Sequence, residues 1–413
     1  MVIDAILEAR EKRIEKIKSI DGGVISVKAN IPGENKSINI AFILIKIFVF
    51  EVLKNINVIN KYFYESADGP YFLLVTNRDE KVKDILINLE ENHPLGRYID
   101  LDLYIDKTRS ISRGYMRKCI LCDKDAFYCI RNKTHKNSEV LSKIKIDVLN
   151  YLKQIIYDLS KKAIYSELNL EYKFGLVTPS SSGSHRDMDY KLMEKAIGVI
   201  LPGFENMFLI GFHGQDLNRV YKDGKKYGLF VEKEMFSVTS GINCYKGLIF
   251  ILGLVVLSIG YTLANNLKYE DIFKNIKVMT KDIFSETKYN TFGEYAYEKY
   301  KFGGARAEAQ SGLKSVQIAI KYLENYKEIN DEALHMTLIE IIKNIDDTVM
   351  LKRAKELDKY HYYKNLVSQI TSYDIKIIKA VTGKFINNNI SCGGAADILI
   401  AALFIHQLKK IFW

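Results

Sequence analysis

Asp100 and Asp102 stand two positions apart in Ile99-Asp-Leu-Asp-Leu-Tyr-Ile105, where acids alternate with apolar residues. That alternation predicts a strand, and on a strand it sets both carboxylates on one face and the apolar side chains on the other. Adjacent carboxylates repel unless a hard cation lies between them, and Mg²⁺ held by such acids and by substrate phosphates is the usual solution. A site of this kind stabilises phosphoryl transfer and a pyrophosphate leaving group. Just upstream, Gly96-Arg97 follows His93-Pro94-Leu95, adding a flexible backbone approach and a permanent cation for phosphate. Without these flanks, the acid pair would read as the solvated face of a half-buried strand.

A second cluster is Cys119-x2-Cys122-x6-Cys129-x5-His135. The first pair has the spacing of a zinc knuckle, and zinc would close the loop as a structural staple. The later spacings match no standard finger, so reduced thiols without metal remain the alternative. Arg113, Arg117, Lys118, Arg131, Lys133 and Lys136 form a basic collar that suits an anionic cofactor or faces solvent. Five cysteines, three of them crowded here, fit a reducing compartment better than a disulfide framework. Met1 to Ile20 reads as a charged amphipathic helix rather than a signal peptide, and the expected location is cytoplasmic.

The elements that must position these groups divide into two textures. Residues 1–140 alternate helix and strand: helices over Ile3–Ile17, Ile40–Leu53 and Val82–Asn92, strands over Val24–Ala29, Tyr71–Thr76 and Ile99–Ile105. Residues 141–413 are dominated by helical patterns, at Ile144–Leu168, Lys191–Ile200, Glu232–Ser237, Lys246–Ala264, Glu270–Ile283, Leu313–Leu323, Asp331–Ile345, Ile375–Val381 and Ala395–Ile411. The expected architecture is an N-terminal α/β (α+β), nucleotidyltransferase-like module followed by an all-α domain, with the boundary near Asn137 to Leu141. Gly247 to Ala264 carries no charge and reaches the lower length limit of a membrane span. With no second such segment seen, a core helix whose Gly253, Ser258 and Gly260 admit close neighbours is the favoured reading.

Polar clusters recur at the helix ends of the second half. Ser180 to Asp189 offers small residues, Arg186 and the acids Asp187 and Asp189 before a helix, an arrangement that presents backbone N–H groups to phosphate and acids to Mg²⁺. Gly303-Gly304-Ala305-Arg306 with Glu308, Asp346-Asp347-Thr348 with Arg353, and Ser391-Cys392-Gly393-Gly394 repeat the theme. Each alone also reads as an ordinary helix cap; together they suggest one polar cleft.

The order of motifs in residues 1–140 resembles the phosphoribosyl-dephospho-CoA transferases, or holo-citrate-lyase synthases. It is carried by Ala9-Arg10, Asn30-Ile31-Pro32-Gly33, Lys36, His93 to Tyr104, and Arg117 to His135. The resemblance implies attachment of triphosphoribosyl-dephospho-CoA to a serine of an apo acyl carrier, with pyrophosphate released. It places Asn30, Lys36, His93, Arg97, Asp100, Asp102 and Arg117 in the site, with the aspartates on Mg²⁺, Arg97 on the triphosphate, and His93 in orientation or proton transfer.

Residues beyond about 150 resemble the triphosphoribosyl-dephospho-CoA synthases. The matching pieces are Lys173 with Gly175-Leu176-Val177, Gly183 to Asp189, Glu232 with Met235, Thr239, Gly241-Ile242-Asn243, Lys246-Gly247, Arg306 with Glu308-Ala309, Asp347-Thr348, and Gly393-Gly394 with Asp397. The implied reaction joins ATP to 3′-dephospho-CoA and expels adenine, by attack of a ribose hydroxyl on the anomeric carbon of ATP. Asp187, Asp189, Glu232, Glu308 and Asp347 are the implied metal-binding or acid–base groups. Lys173, His185, Arg186, Lys246, Arg306, Arg353, Gly393 and Gly394 would hold the substrates. The chain departs from the pattern at Thr178 (an acid in the family), Tyr245 and Phe292 (histidines), Val349 (asparagine) and Lys352 (histidine).

The expected function is therefore synthesis and attachment of citrate lyase's prosthetic group. The alternatives are a transferase joined to a diverged scaffold, or a malonate decarboxylase carrier as the target. The formal charge of +10 suits polyanionic partners. Nucleic acid is not expected, because aromatics do not interleave with a Lys/Arg helix and no binding motif occurs; a membrane partner is not expected either.

Overall fold

The computed structural model describes residues 2–106, 110–111, 116–285 and 292–413. Arg113 lies outside the described residues. The chain forms two compact units, Met1–Leu152 with Lys410–Trp413, and Lys153–Lys409.

In the first unit, α1 (Val2–Ser19) leads into β1 (Gly23–Ala29), α2 (Asn39–Asn55), β2 (Val58–Tyr64), β3 (Tyr71–Thr76), α3 (Val82–Asn92) and β4 (Ile99–Tyr104). The four strands make an antiparallel sheet in the order β2-β3-β1-β4. The apolar helix α2 lies on the sheet, and its Leu44, Ile45, Phe48 and Val52 are fully enclosed. Strand β4 has the two-sided pattern its sequence predicts: Ile99, Leu101 and Leu103 are buried while Asp100 and Asp102 are partly exposed. Strand β2 was not expected. It is a sheet edge whose Asn60 to Phe63 are exposed, so it lacks the buried alternation that marks a strand in sequence.

A short helix, α4 (Ala126–Arg131), precedes α5 (Asn137–Leu168). The division between units falls inside α5, at Leu152–Lys153, rather than at the loop before it. The change of sequence texture near residue 140 marks the start of this long helix, which then serves both units.

The remaining helices are α6 (Tyr190–His213), α7 (Leu217–Val238), α8 (Lys246–Ala264), α9 (Asp271–Met279), α10 (Phe292–Tyr300) and α11 (Gly304–Ser311). They continue with α12 (Lys314–Leu323), α13 (Asp331–Asn344), α14 (Thr348–Ala354), α15 (Leu357–Ser368), α16 (Ile375–Asn387) and α17 (Gly393–Phe412). Sequence periodicity missed α4, α10, α11, α14 and α15, and it shortened α6, α7 and α16. Helix α6 runs through Pro202 because its apolar face is buried on both sides of that residue, by Ile197 and Ile200 before it and Phe204, Met207 and Phe208 after it.

Helix α8 packs against α6 so closely that a Cβ on Gly211 would lie 2.0 Å from the Leu257 carbonyl oxygen, and one on Gly260 would lie 2.2 Å from that of Phe208. Of the α8 window apolar enough to cross a membrane, 78% is buried inside the fold, as a core helix requires. Tyr190–His213 also reaches the length and hydropathy of a span, which corrects the expectation of a single such segment.

Candidate active sites of the two units

In the first unit, strand register sets the acids beside a lysine and a serine: Asp100 faces Lys28 and Asp102 faces Ser26 across β1. Arg117 Nη1 donates to Asp100 Oδ1 at 2.8 Å and to the Ile99 carbonyl at 2.9 Å, while Nη2 pairs with buried Glu90. Glu90 in turn accepts the Leu101 N–H at 2.9 Å. Arg117 thus clamps the first residues of β4 to the end of α3.

Burial, then the like charge of Asp100, pushes the Asp102 carboxyl above its ordinary value. If carrier loading needs both carboxylates ionised, its rate is present above the raised Asp102 value and lost as pH falls through it. The acid limb of the loading pH profile is expected above the ordinary aspartate value of 3.8. The folded chain also holds this proton more tightly than the unfolded one, so the group's contribution to stability declines as pH rises between the two values. A profile with its acid limb at an ordinary carboxylate pKa would contradict this assignment.

Sequence reasoning missed the group that organises the cations. Asp68, in the turn before β3, is enclosed and receives Arg10 Nε at 3.2 Å, Arg13 Nη1 at 3.0 Å and Lys28 Nζ at 2.5 Å. Burial alone would raise its carboxyl, but the Lys28 hydrogen bond and the three positive charges outweigh that and hold it below the usual range. Lys36 donates to the Ile31 carbonyl, and its charge interacts with those of Asp68, Arg10 and Asp100. Arg10, Arg13, Lys28, Lys36 and Arg117 therefore gather around Asp68 and the acids of β4. Asn30 is exposed, and its backbone N–H bonds to the Tyr98 carbonyl at 2.8 Å.

His93 and Arg97 hold loops. The Leu95 N–H donates to His93 Nδ1 at 3.1 Å, which leaves Nε2–H to face the Tyr151 hydroxyl at 2.9 Å. Burial lowers the pKa of this imidazole, and Phe48 and Tyr151 pack edge-on against it. The guanidinium of Arg97 donates to the carbonyls of Lys118 and Cys119. Cys119, Cys122, Cys129 and His135 come together, their ligand atoms all within 4.8 Å of one another, and the group could hold a metal ion.

In the second unit, α6, α7 and α8 enclose a cavity of about 380 Å³ lined by Leu254, Leu257, Glu232, Lys246, Gly247 and Arg306, among others. Lys246 Nζ meets Glu232 at 2.5 Å, and Arg306 pairs with Glu294 at 2.9 Å. Behind Gly247 stands Asp397 of α17, its Oδ2 where a Cβ on that glycine would come within 2.0 Å. Burial, then the charges of Asp347 and Glu167, pushes the Asp397 carboxyl well above its ordinary value. Gly247→Ala is expected to displace this carboxylate and cut adenine release by about 10²-fold, the usual cost of misplacing a reacting group by an ångström. Carrier loading from ready-made triphosphoribosyl-dephospho-CoA should be unchanged; equal loss of both activities would contradict a local effect.

The other expected residues sort into separate roles. His185 accepts from Arg353 Nη2 at Nδ1, 2.7 Å, and faces Ser391 Oγ through Nε2 at 3.2 Å. Burial and the Arg353 charge bring His185 down to about 4, so it is neutral near pH 7. Arg353 also donates to the Ser184 carbonyl at 2.8 Å. Asp347 is buried, caps α14 through the N–H groups of Val349 and Met350, and accepts the Ala395 N–H at 3.1 Å at the start of α17, next to Gly393 and Gly394. Burial raises its carboxyl against those hydrogen bonds.

Arg186, Asp187 and Asp189 are exposed, and Asp189 caps α6 through the Leu192 N–H. Both acids, after burial, contribute to raising the Cys244 thiol to about 11. Glu308 accepts the Ser315 N–H at 3.0 Å and hydroxyl at 2.5 Å, tying α11 to α12. Lys173 is enclosed, with Nζ 2.7 Å from Glu167 Oε1.

Comparison with known proteins follows the same division. Residues 1–151 match the model of the apo-citrate lyase phosphoribosyl-dephospho-CoA transferase family. Residues 153–413 match that of the ATP:dephospho-CoA triphosphoribosyl transferase family. Protein CitXG of Leuconostoc mesenteroides subsp. cremoris is 32% identical over 93% of this chain and 91% of its own length. Protein CitXG of Haemophilus influenzae is 29% identical over 84% of this chain and 80% of its own. A 2-(5''-triphosphoribosyl)-3'-dephosphocoenzyme-A synthase of Haemophilus ducreyi is 26% identical over 70% of this chain and 99% of its own. The chain belongs to both families, as a bifunctional transferase in which a phosphoribosyl-dephospho-CoA transferase domain precedes a triphosphoribosyl-dephospho-CoA synthase domain.

Proposed function

We propose that the second unit joins ATP to 3′-dephospho-CoA with loss of adenine, and that the first unit transfers the product to a serine of the apo acyl carrier of citrate lyase. In the transfer, the serine oxygen forms a bond to the innermost phosphorus of the triphosphate and pyrophosphate leaves. The observation that carries this reading is the same-face pair Asp100 and Asp102, with Arg117 paired to Asp100, Lys28 opposite it in register, and the Arg10, Arg13 and Lys28 cations gathered on Asp68.

The donor set fits Mg²⁺: two hard carboxylate oxygens on one strand face, with Asp102 raised in pKa by burial and by its neighbour's charge. Mg²⁺ bound there would offset charge on the transferring phosphoryl group. Arg117 orients Asp100, and Lys36 and Arg10 meet the phosphates. His93, engaged at both ring nitrogens, acts as a positioning residue for the turn that leads into β4.

In the second unit, the apolar wall of the cavity takes a nucleoside while Lys246 and Arg306 take phosphates at its rim. In this reading Glu232 of the cavity wall accepts the attacking hydroxyl's proton, and Asp397 behind Gly247 faces the developing positive charge. The five free thiols suit a reducing, cytoplasmic setting.

Purified chain is given ATP, dephospho-CoA, Mg²⁺ and apo carrier, and the carrier is weighed by mass spectrometry. Addition of the phosphoribosyl-dephospho-CoA moiety is expected. A carrier left unmodified even with ready-made triphosphoribosyl-dephospho-CoA would refute the transferase assignment, and a malonate decarboxylase carrier loaded in preference would change the partner. Adenine release without carrier reads the second unit alone; its absence would leave that unit a scaffold.

A further inference from the structure

We propose that Cys119, Cys122, Cys129 and His135 bind one structural Zn²⁺, and that this ion holds the loop, braced by Arg97, from which Arg117 is set at the acid pair. The first half of the inference stands on the cluster alone; the second rests on the transferase reading.

Tetrahedral zinc with Zn–S of about 2.3 Å and Zn–N of about 2.0 Å places neighbouring ligand atoms roughly 3.5–3.8 Å apart. Cys122 Sγ lies 3.5 Å from Cys129 Sγ and 3.3 Å from His135 Nε2, and all four ligand atoms fall within 4.8 Å of each other. The donors are soft thiolates and one imidazole, the set that selects zinc over magnesium or calcium. No pair among them forms a disulfide.

The chain path is built for this convergence. The bridge between Lys118 and Asp125 folds the knuckle back on itself, Asp125 caps α4, and α4 carries Cys129 inward. Lys133 then adopts the left-handed conformation, φ 47°, and the Thr134 N–H returns to the Cys129 carbonyl at 3.0 Å, turning His135 toward Cys122. Among residues 116–136, Cys119 and Cys129 are the only buried ones. Met116, Phe127 and Ile130 point outward, at 65%, 59% and 75% exposure. A segment of this length with thiols inside and apolar side chains outside has no hydrophobic core of its own, and metal ligation is the usual substitute.

The loop is tied to the candidate site on both sides of its first ligand. Arg97 donates to the carbonyls of Lys118 and Cys119, and Arg117, two residues before Cys119, reaches Asp100, Ile99 and Glu90. Release of the ion would free the anchor of both guanidinium groups.

The test uses the full chain purified under reducing conditions without chelator, with zinc measured by elemental mass spectrometry. One zinc per chain is expected. Cys122→Ser and Cys129→Ser should lose it, His135→Cys should keep it, and Co²⁺ exchanged into the site should show thiolate charge-transfer absorption. Carrier loading from ready-made triphosphoribosyl-dephospho-CoA should fall about 10–100-fold in Cys129→Ser, while adenine release, read from the same preparation, stays at the wild-type rate. A chain that releases adenine normally but binds no zinc, even when zinc is supplied, overturns the metal site. Zinc removal that leaves loading unchanged overturns the coupling. Stoichiometric zinc in a wild-type chain that never loads a carrier supports the metal site and refutes the transferase reading.

Discussion

Asp100→Asn is expected to reduce carrier loading by at least about 10²–10³-fold, the scale on which removal of a single electrostatic partner of a transition state is usually felt. Adenine release should continue at the wild-type rate. The substitution keeps the volume of the side chain and removes its charge. Arg117 keeps its bonds to the Ile99 carbonyl and Glu90, so the clamp between β4 and α3 stays in place. What is lost is one of two same-face carboxylates, and with it the charge that, after burial, raises Asp102. The variant should thus load poorly at every pH, and added Mg²⁺ should restore little. Measurement of both activities on one preparation decides the matter. A parallel fall in adenine release would indicate damage to the chain as a whole, and unimpaired loading would remove Asp100 from the site.

Strand β4 was legible because its face alternation coincides with its chemistry: the pattern that buries Leu101 and Leu103 is the pattern that presents Asp100 and Asp102. The centre of the neighbouring cation cluster was not legible. Asp68 is one acid in a turn, and its partners Arg10 and Arg13 lie 58 and 55 positions away, so only the fold brings them together. Glu308 gained a structural partner that its sequence context did not announce: its carboxylate accepts the N–H and hydroxyl of Ser315 at the start of α12. Asp397 carried the family pattern in sequence without a role, and the fold sets its carboxylate directly behind Gly247 of the cavity wall.

The departures from the synthase pattern gain meaning from where they fall. Tyr245 is buried, and among the described residues its hydroxyl has no hydrogen-bond partner. Burial, then the charge of Glu167, raises the phenol well above its ordinary value, and Asp397 adds to this. The change from imidazole to phenol therefore lies at the enclosed acids, where it removes a proton carrier that titrates near neutrality. Val349 is half exposed beside Gly393 at the α14 cap, a contact of shape rather than of charge. Residue type shows that a group is missing; burial shows which charges must do without it.

Lys173→Met separates structure from substrate binding in the second unit and is expected to destabilise it by about 3–5 kcal/mol. The resemblance placed Lys173 on substrate phosphate, yet its side chain is 1% exposed and that of its partner Glu167 is 4% exposed. Its ammonium donates to Glu167 twice, at 2.7 Å to the carboxylate and 2.5 Å to the main-chain carbonyl. The loop around it is held in an unusual path: Tyr172 and Phe174 have φ of 54° and 52°, and Thr382 accepts the Phe174 N–H and donates to the Tyr172 carbonyl. Such strain persists only where the surroundings over-determine it. Loss of the ammonium would leave Glu167 enclosed near Asp347 and Asp397 without its own cation. Glu167→Gln alone should also destabilise, by stranding the lysine. The double variant Lys173→Met/Glu167→Gln should recover most of the loss, because neither charge is then left unpaired. Hydrogen exchange of the second unit's helices, followed with adenine release at saturating ATP, measures the outcome. A Lys173→Met chain of wild-type stability with a raised KM for ATP would instead return this residue to the phosphate site.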